Sequence, residues 1–406
     1  MAVLIRLVAG FSALALCWAS AVAAGEEPAP ATAAAAEPSG EEVSGESSSE
    51  KTPPPKRFDG LFKIPNTEAT IKLGGFVRLD LIHDFDAIGS EDKFDPSTIP
   101  TDGEPGDNTH LHAKWTRFNV DFGRPTRFGP ARIFVETDFM SSDTSLHLRH
   151  AFGSVGPLLV GQTWSTFMDE DAIPPTLNLE EPRAFLIIRQ AMVRWTWVWS
   201  DRFLLAVALE EPDAEIESSE GVPGSSEDPL PDLTARARWN WGASHLQLSA
   251  FAGEARFRSD AGSKDDATIW GLNFTGKATT VGKDALRFQL AYGDGLARYD
   301  SGVAAAVDED GRLEAIETFG VMLSYQHYWS ERLSSHLIGS YGSQDNTAGQ
   351  SPESIHAVEY AALNLVWEFA EGMSFGGEWL YGMREDNDGA SGHDNRLLLV
   401  FKMDFF

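Results

Sequence analysis

Leu233-Thr234-Ala235-Arg236-Ala237-Arg238-Trp239-Asn240, a turn at Gly242-Ala243, and His245-Leu246-Gln247-Leu248-Ser249-Ala250 decide how the rest of this chain is read. In each run every second residue is apolar and its neighbours are polar or charged. A period of two places alternate side chains on opposite faces of a strand, so this hairpin has one apolar face and one that carries two arginines. The pattern recurs. Ile71, Leu73, Val77, Leu79 and Leu81 alternate with Lys72, Arg78 and Asp80, Ile133 and Val135 with Arg132 and Glu136, and Leu286, Phe288, Leu290 and Tyr292 with Arg287 and Gln289.

Connection lengths separate a membrane barrel from a soluble sandwich. Sixteen strands count out from Thr70, and their links alternate between long and short. Long links are expected near 85–109, 168–186, 211–231, 254–266, 294–315, 344–355 and 385–393, with a brief one at Ser141-Ser142. Short turns are expected at Gly123 to Gly129, Gly156-Pro157, Ser200-Asp201, Gly242-Ala243, Thr279 to Asp284, Ser330-Glu331 and Glu371-Gly372. Long extracellular loops and tight periplasmic turns are expected of an outer-membrane barrel. Trp195, Trp197, Trp199, Trp239, Trp241, Tyr328, Trp329, Trp367 and Phe369 cluster beside the short turns, where a headgroup layer suits rings that are part apolar and part polar. The expected fold is therefore all-β: a sixteen-stranded antiparallel transmembrane β-barrel.

Composition removes other classes. With 61 Asp and Glu against 32 Lys and Arg, a net charge of −29 argues against a nucleic-acid partner, which needs a basic face. Aromatic residues make up 11%, too many for a disordered acidic chain. One cysteine excludes a disulfide scaffold. No run of 18 apolar residues offers a spanning helix, so a membrane protein here is a barrel. Residues 1–24 read as a secretory signal, with Arg6, an apolar stretch from Leu7 to Ala19 and small residues at Ala21-Val22-Ala23. A lipoprotein reading of Leu14-Ala15-Leu16-Cys17 fits poorly, because Leu16 stands where a small residue is preferred. Residues 25–57, rich in Ala, Glu, Pro and Ser, hold too few large apolar side chains for a core and read as a flexible periplasmic tether. The barrel domain is expected over 58–406.

Three blocks resemble the DcaP-like outer-membrane porins of Gram-negative bacteria. They are Phe62-Lys63-Ile64-Pro65 with Ile71 to Asp80, Gly161-Gln162-Thr163-Trp164-Ser165-Thr166-Phe167-Met168-Asp169 with Ala172-Ile173-Pro174, and Tyr292-Gly293-Asp294-Gly295 with Arg298-Tyr299. The middle block is the most specific, and the resemblance spans 58–406. It implies a trimeric diffusion porin associated with dicarboxylates and other small organic anions. The family commonly carries an N-terminal coiled coil, whereas 25–57 has no heptads. Terminal Phe406 also falls on the opposite parity from Leu397 to Phe405.

If the apolar parity faces lipid, the other faces the lumen. This assigns Arg78, Arg117, Arg132, Arg149, Arg194, Arg236, Arg238, Arg287 and Arg396 to the pore lining, with interior acids Asp80, Asp121, Glu136, Asp138 and Glu378. Arginine suits a carboxylate solute because its planar fork bonds both oxygens and its charge does not titrate away. The alternative for any one arginine is a structural pair with a lumenal acid. Arg236 and Arg238, with no acid between them, are the better anion-ladder candidates, and Arg78, Arg117, Arg132 and Arg149 are expected to form one basic wall. The link from Asp169 to Arg183 is a candidate constriction loop stiffened by Pro174 and Pro175, with Asp169, Glu170 and Asp171 facing that wall. An outward loop capping the barrel is the alternative.

No catalytic constellation appears, and neither His147 nor His150 has a serine partner. Asp308-Glu309-Asp310-Gly311 and Asp386-Asn387-Asp388-Gly389 lack the further ligands of a calcium loop, so no metal and no cofactor are expected. The expected function is passive diffusion of small hydrophilic solutes, with a preference for organic anions; a plugged barrel acting as an adhesin or structural surface protein is the alternative. Expected partners are those solutes, outer-membrane lipid and lipopolysaccharide, and two further copies of the chain. Residues 85–109, 211–231, 294–315 and 385–394 together carry 24 acidic and three basic residues, so most of the negative charge is expected at the outer mouth.

Overall fold

The structure, a computed structural model, describes residues 60–103, 105–141, 144–179, 186–219, 221–300 and 302–405. The segments read as signal and tether, Arg183 and Phe406 lie outside the described residues.

The alternating runs form sixteen antiparallel strands. These are β1 (Thr70–Asp84), β2 (Asn108–His112 and Arg117–Thr126), β3 (Gly129–Asp138), β4 (His147–Val155), β5 (Leu158–Trp164), β6 (Arg189–Ser200), β7 (Phe203–Glu210) and β8 (Asp232–Trp241). Then follow β9 (Ser244–Ser259), β10 (Lys264–Thr279), β11 (Ala285–Asp294), β12 (Glu317–Tyr328), β13 (Leu333–Asp345), β14 (Ile355–Ala370), β15 (Met373–Asp386) and β16 (Ser391–Asp404). Each strand pairs with its sequence neighbours, and β1 also pairs with β16, with Val77 opposite Met403. Closure leaves no edge, which a strand exposed to lipid cannot tolerate. Burial runs opposite to a soluble protein: Leu233 and Trp239 are 51% and 58% exposed, while Thr234 between them is fully buried. The seven tryptophans beside the short turns are likewise exposed.

Gly75 and Gly161, from two of the shared blocks, show what those blocks do. Each has φ in the left-handed range, 135° and 126°. A Cβ at Gly75 would meet the Arg117 carbonyl oxygen at 2.1 Å, and one at Gly161 the Ala151 oxygen at 2.3 Å. Both positions require glycine for close passage of a neighbouring strand.

Two links expected to be long are tight. Residues 260–263 and 387–390 are four-residue connections at the ends of long hairpins: β9 and β10 run 16 residues each, β15 and β16 run 14. At the β9–β10 end the strands continue with a charged outward face, while the inward positions Ala255 and Phe257 are buried in the apolar filling. Arg256 lies opposite Asp266 and is ion-paired to it, so the apolar parity passes from the outward face to the inward one while the ladder continues. The strict alternation of loop lengths therefore fails at these two connections. In the other direction, the turn expected over 123–129 is only Arg127-Phe128.

The inward parity is not uniformly polar either. Phe94 of the first loop (85–107) packs with Ile82, Ile338, Tyr360, Leu380, Leu398 and Val400. The sixth loop (295–316) brings Leu296, Tyr299 and Val307 against Phe167, Phe251 and Ile269. Parts of these loops, with the third, form an apolar filling inside the barrel.

Candidate solute pathway

The third loop spans 165–188; its residues 165–179 fold inward, and the sequence explains how they are held. Its near end is gripped by Glu210, which accepts from Ser165 Oγ at 2.6 Å, the Thr166 backbone N–H at 2.7 Å and Thr234 Oγ1 at 2.8 Å. Asn273 and Gln247 then donate to the carbonyls of Phe167 and Met168 at 3.2 and 2.8 Å. Asp169 caps the short 3-10 turn Glu170–Ala172 and is itself bonded by Thr275 Oγ1 and His245 Nε2, both at 2.7 Å. The far end reaches the opposite wall. There Glu378 accepts from Thr176 Oγ1 at 2.7 Å and from the backbone N–H groups of Leu177 and Asn178, while Asn364 donates to the Pro175 carbonyl at 3.0 Å. The loop thus crosses the lumen from the β7–β10 wall to the β14–β15 wall.

On one side of it lies a cavity of about 470 Å³. Arg117, Arg132, Arg149, Arg194 and Arg236 line it, against only Glu136 and Glu170 among the described acids. Arg149 bonds Glu136 at 3.1 Å and Asp138 at 2.8 Å, and Arg117 stands 3.8 Å from Glu136. Arg132, nearly half exposed, pairs with Asp121 at 2.9 Å and lies over the rings of Phe134 and Phe152 at 4.8 and 5.4 Å. Arg194 and Arg236 form no ion pair or hydrogen bond among the described residues, and Arg236 Nε is buried without a partner. A second cavity of about 270 Å³ shares Arg149 and Trp164 with the first and adds Lys93 and Arg189, so the two are contiguous. A third, of about 300 Å³, lies among the fourth (211–231), sixth and seventh (346–354) loops and is acidic, with Glu215, Glu217, Asp300 and Glu353.

Several assignments that follow from strand parity alone are corrected by this geometry. Arg78 does not join the basic wall: it is buried, chelates Asp80 through Nε at 2.9 and 3.0 Å, and donates to the Leu177 carbonyl of the third loop. Arg396 is also buried, forks onto Asp84, bonds the Ser90 carbonyl at 2.8 Å and covers Phe94. Arg238 is neutralised by Asp171 at 2.5 Å and Asp169 at 3.4 Å, so it forms no anion ladder with Arg236. Asp169 is buried against the barrel wall and does not look across an opening; of the three loop acids, Glu170 lines the basic cavity. Arg287 donates to Gln326 Oε1 at 3.0 Å on β11, outside that cavity. For Arg78, Arg396, Arg238 and Asp169 the physical reason is common: a charge away from water needs a partner, and inserted loops remove water from part of the lumen.

Residues that the sequence pattern did not single out also contribute. Arg189 lies over the Trp164 ring at 4.5 Å, at the junction of the two basic cavities. Arg298 of the sixth loop is fully buried and pairs with Asp232 at 2.6 Å and Gln190 at 3.2 Å, locking the loop inside. Its Arg298-Tyr299 dipeptide is legible as a shared block, though not as an anchor. Near the outer mouth, burial opposes ionisation of Asp92, but Lys114 and the imidazoles of His112 and His110 outweigh it and hold the carboxyl below its usual range.

A closed sixteen-stranded barrel with an apolar exterior, a loop crossing its interior and a charged cavity beside that loop defines an outer-membrane channel of the porin type. The chain belongs to the DcaP outer membrane protein family, whose model matches residues 56–405. Among solved structures it is similar to the outer membrane channel DcaP of Acinetobacter baumannii, at 24% identity and a TM-score of 0.75, covering 85% of this chain and 99% of that one. The fold is shared with an anion-selective porin from Comamonas acidovorans (10% identity, TM-score 0.55, 83% of this chain and 100% of that one). It is shared too with the trimer form of Vibrio cholerae OmpT (12% identity, TM-score 0.52, 83% and 99%). No curated protein matches the chain.

Proposed function

We propose that this channel passes small hydrophilic solutes by passive diffusion and prefers small organic anions such as dicarboxylates. One observation carries the reading: five arginines against two glutamates around a cavity of about 470 Å³, with Arg194 and Arg236 in no ion pair among the described residues. Fixed cations in a confined, partly desolvated passage favour anions and order them along the wall. The test is the reversal potential across a planar bilayer under a salt gradient, then with sodium salts of dicarboxylates. Anion selectivity reduced by added dicarboxylate is expected; a cation-selective channel indifferent to them would end the anion reading.

A plugged barrel serving as an adhesin or structural protein is the second reading, favoured by the first, third and sixth loops inside the lumen. It predicts no conductance and flat liposome swelling with small sugars. We further read the assembly as a homotrimer, in line with the trimer form of Vibrio cholerae OmpT, and the acidic outer loops as contacts to lipopolysaccharide through bridging divalent ions. Residues 1–24 are read as a cleaved signal and 25–57 as a tether, which mass spectrometry of the mature N-terminus tests.

A further inference from the structure

The first loop meets β2 outside the basic cavity, and the contact holds more metal-ligand chemistry than a structural pairing uses. His110 and His112 are two apart on β2, so both imidazoles project to the same, inner side while Leu111 between them is exposed. Asp92 of the first loop reaches them. Its Oδ1 lies 2.9 Å from His110 Nε2 and 3.8 Å from His112 Nε2, and one ligand atom from each residue falls within 4.8 Å of the others. His112 is only 7% exposed, and its Nε2 has no hydrogen-bond partner among the described residues. Buried polar nitrogens are normally satisfied, so one left unpaired and facing a carboxylate points to a ligand.

We propose that Asp92, His110 and His112 form a binding site for a borderline-soft divalent cation of the Zn²⁺ class. Two imidazoles and a carboxylate are the donor set of open zinc sites, and ligand atoms about 2.1 Å from a tetrahedral ion lie about 3.4 Å apart. The separations of 2.9 and 3.8 Å straddle that value, so small side-chain rotations complete the site. Two competitors set its affinity. Lys114 Nζ holds the second oxygen of Asp92, and the Lys114 backbone N–H donates to His112 Nδ1 at 3.2 Å. Binding through Nε2 requires the Nδ1–H tautomer of His112 and loss of that bond, so the site is weaker and more reversible than a closed structural one. Lys93 and Trp115, chain neighbours of Asp92 and Lys114, line the second basic cavity, which places the ion beside that cavity. Occupancy would also tie the first loop to β2 through coordinate bonds.

Isothermal titration of the purified, untagged protein with ZnCl₂, and separately with MgCl₂, tests the site. One Zn²⁺ per chain and no response to Mg²⁺ are expected. The paired substitution His110→Gln and His112→Gln should weaken binding by about a hundredfold or more, beyond the loss of an outer-shell partner. Lys114→Met, which removes a competitor and no ligand, should bind at least as tightly. Heat-modifiable electrophoretic mobility confirms that each variant is a folded barrel. Zn²⁺ binding unchanged in the paired variant, equal binding of Mg²⁺, loss of binding in Lys114→Met, or no Zn²⁺ binding by the folded parent would each overturn the proposal.

Discussion

Two parts of one lumen use the same inward parity in opposite ways. Along β2 to β8 the inward positions include Arg117, Arg132, Arg149, Arg194 and Arg236 around a cavity. Along β13 to β16 and β1 they hold Ile338, Tyr360, Leu380, Leu398, Val400 and Ile82, packed on Phe94, with Arg396 and Arg78 each clamped to an aspartate. What separates the two is the inserted loop. Where Phe94 and Leu177 displace water, an arginine becomes a bracket for a loop carbonyl; where they do not, it stays a wall charge. The pore is thus confined to part of the barrel, and the remainder is a scaffold that positions the third loop.

The largest effect expected from breaking this contrast is on stability. Arg396→Ala leaves Asp84 buried without its cation, a change that costs about 3–5 kcal/mol for buried pairs. Arg132→Ala removes a half-exposed pair and should cost about 0–1 kcal/mol. Urea unfolding followed by tryptophan fluorescence in detergent micelles compares them. Equal losses would mean that the two sides of the lumen do not differ in solvation. Next in size is Glu378→Ala. It strips the third loop's far end of an acceptor and leaves the Leu177 N–H unsatisfied, at about 1–3 kcal/mol, while the Asn178 N–H keeps Thr176 Oγ1 at 3.1 Å. Glu210 still grips the near end, so the loop should swing instead of unfolding, and single-channel conductance should rise. Conductance at the parent level would show that the loop does not restrict the passage.

Replacing Arg194 and Arg236 together by glutamine touches the other side alone. Neither has an ion-pair partner among the described residues, so stability should hold while anion preference falls. Each lost charge is worth roughly 1–2 kcal/mol to a bound anion, between bulk-water and near-surface values for charges at about 4 Å. That is about five- to thirtyfold in occupancy for each charge removed, read from the reversal potential. A stability loss without a selectivity change would reassign both residues to the scaffold.

The sequence revealed the barrel more readily than the pore for a physical reason. Lipid imposes one constraint on every strand, so Leu233, Leu248 and Phe288 announce their face wherever they stand. The lumen imposes none until the loops are placed. Arg396 and Arg194 look alike in a period-two pattern, and only the arrival of Ser90, Phe94 and Asp84 around Arg396 separates them. The misread connection at 254–266 has the same origin. Beyond the apolar band Arg256 pairs with Glu254 on β9 and with Asp266 on β10, the apolar positions Ala255 and Phe257 turn inward, and a ladder of backbone bonds leaves no trace in hydropathy. The Asp92, His110 and His112 group was out of reach for a related reason, because its third member comes from a loop 18 residues away.

The smallest expected effect concerns the two charge layers in series. The acidic cavity under the fourth, sixth and seventh loops holds Glu215, Glu217, Asp300 and Glu353, whereas the cavity beside the third loop is basic. The outer acids face bulk electrolyte, where their field reaches about 3 Å at 1 M salt and about 30 Å at 0.01 M. The inner arginines are enclosed, and enclosed charges are screened much less. Lowering the salt should therefore strengthen the outer field more than the inner one and move the reversal potential toward cations; raising it should restore anion preference. The expected shift is below that of the Arg194 and Arg236 exchange, because the outer charges act on entry and not at the narrowest point. Neutralising Glu215 and Glu217 should abolish the salt dependence and leave high-salt selectivity in place. A dependence that survived those changes would locate the low-salt field elsewhere on the acidic surface, and a reversal potential independent of salt would reduce the net charge of −29 to a solubilising exterior.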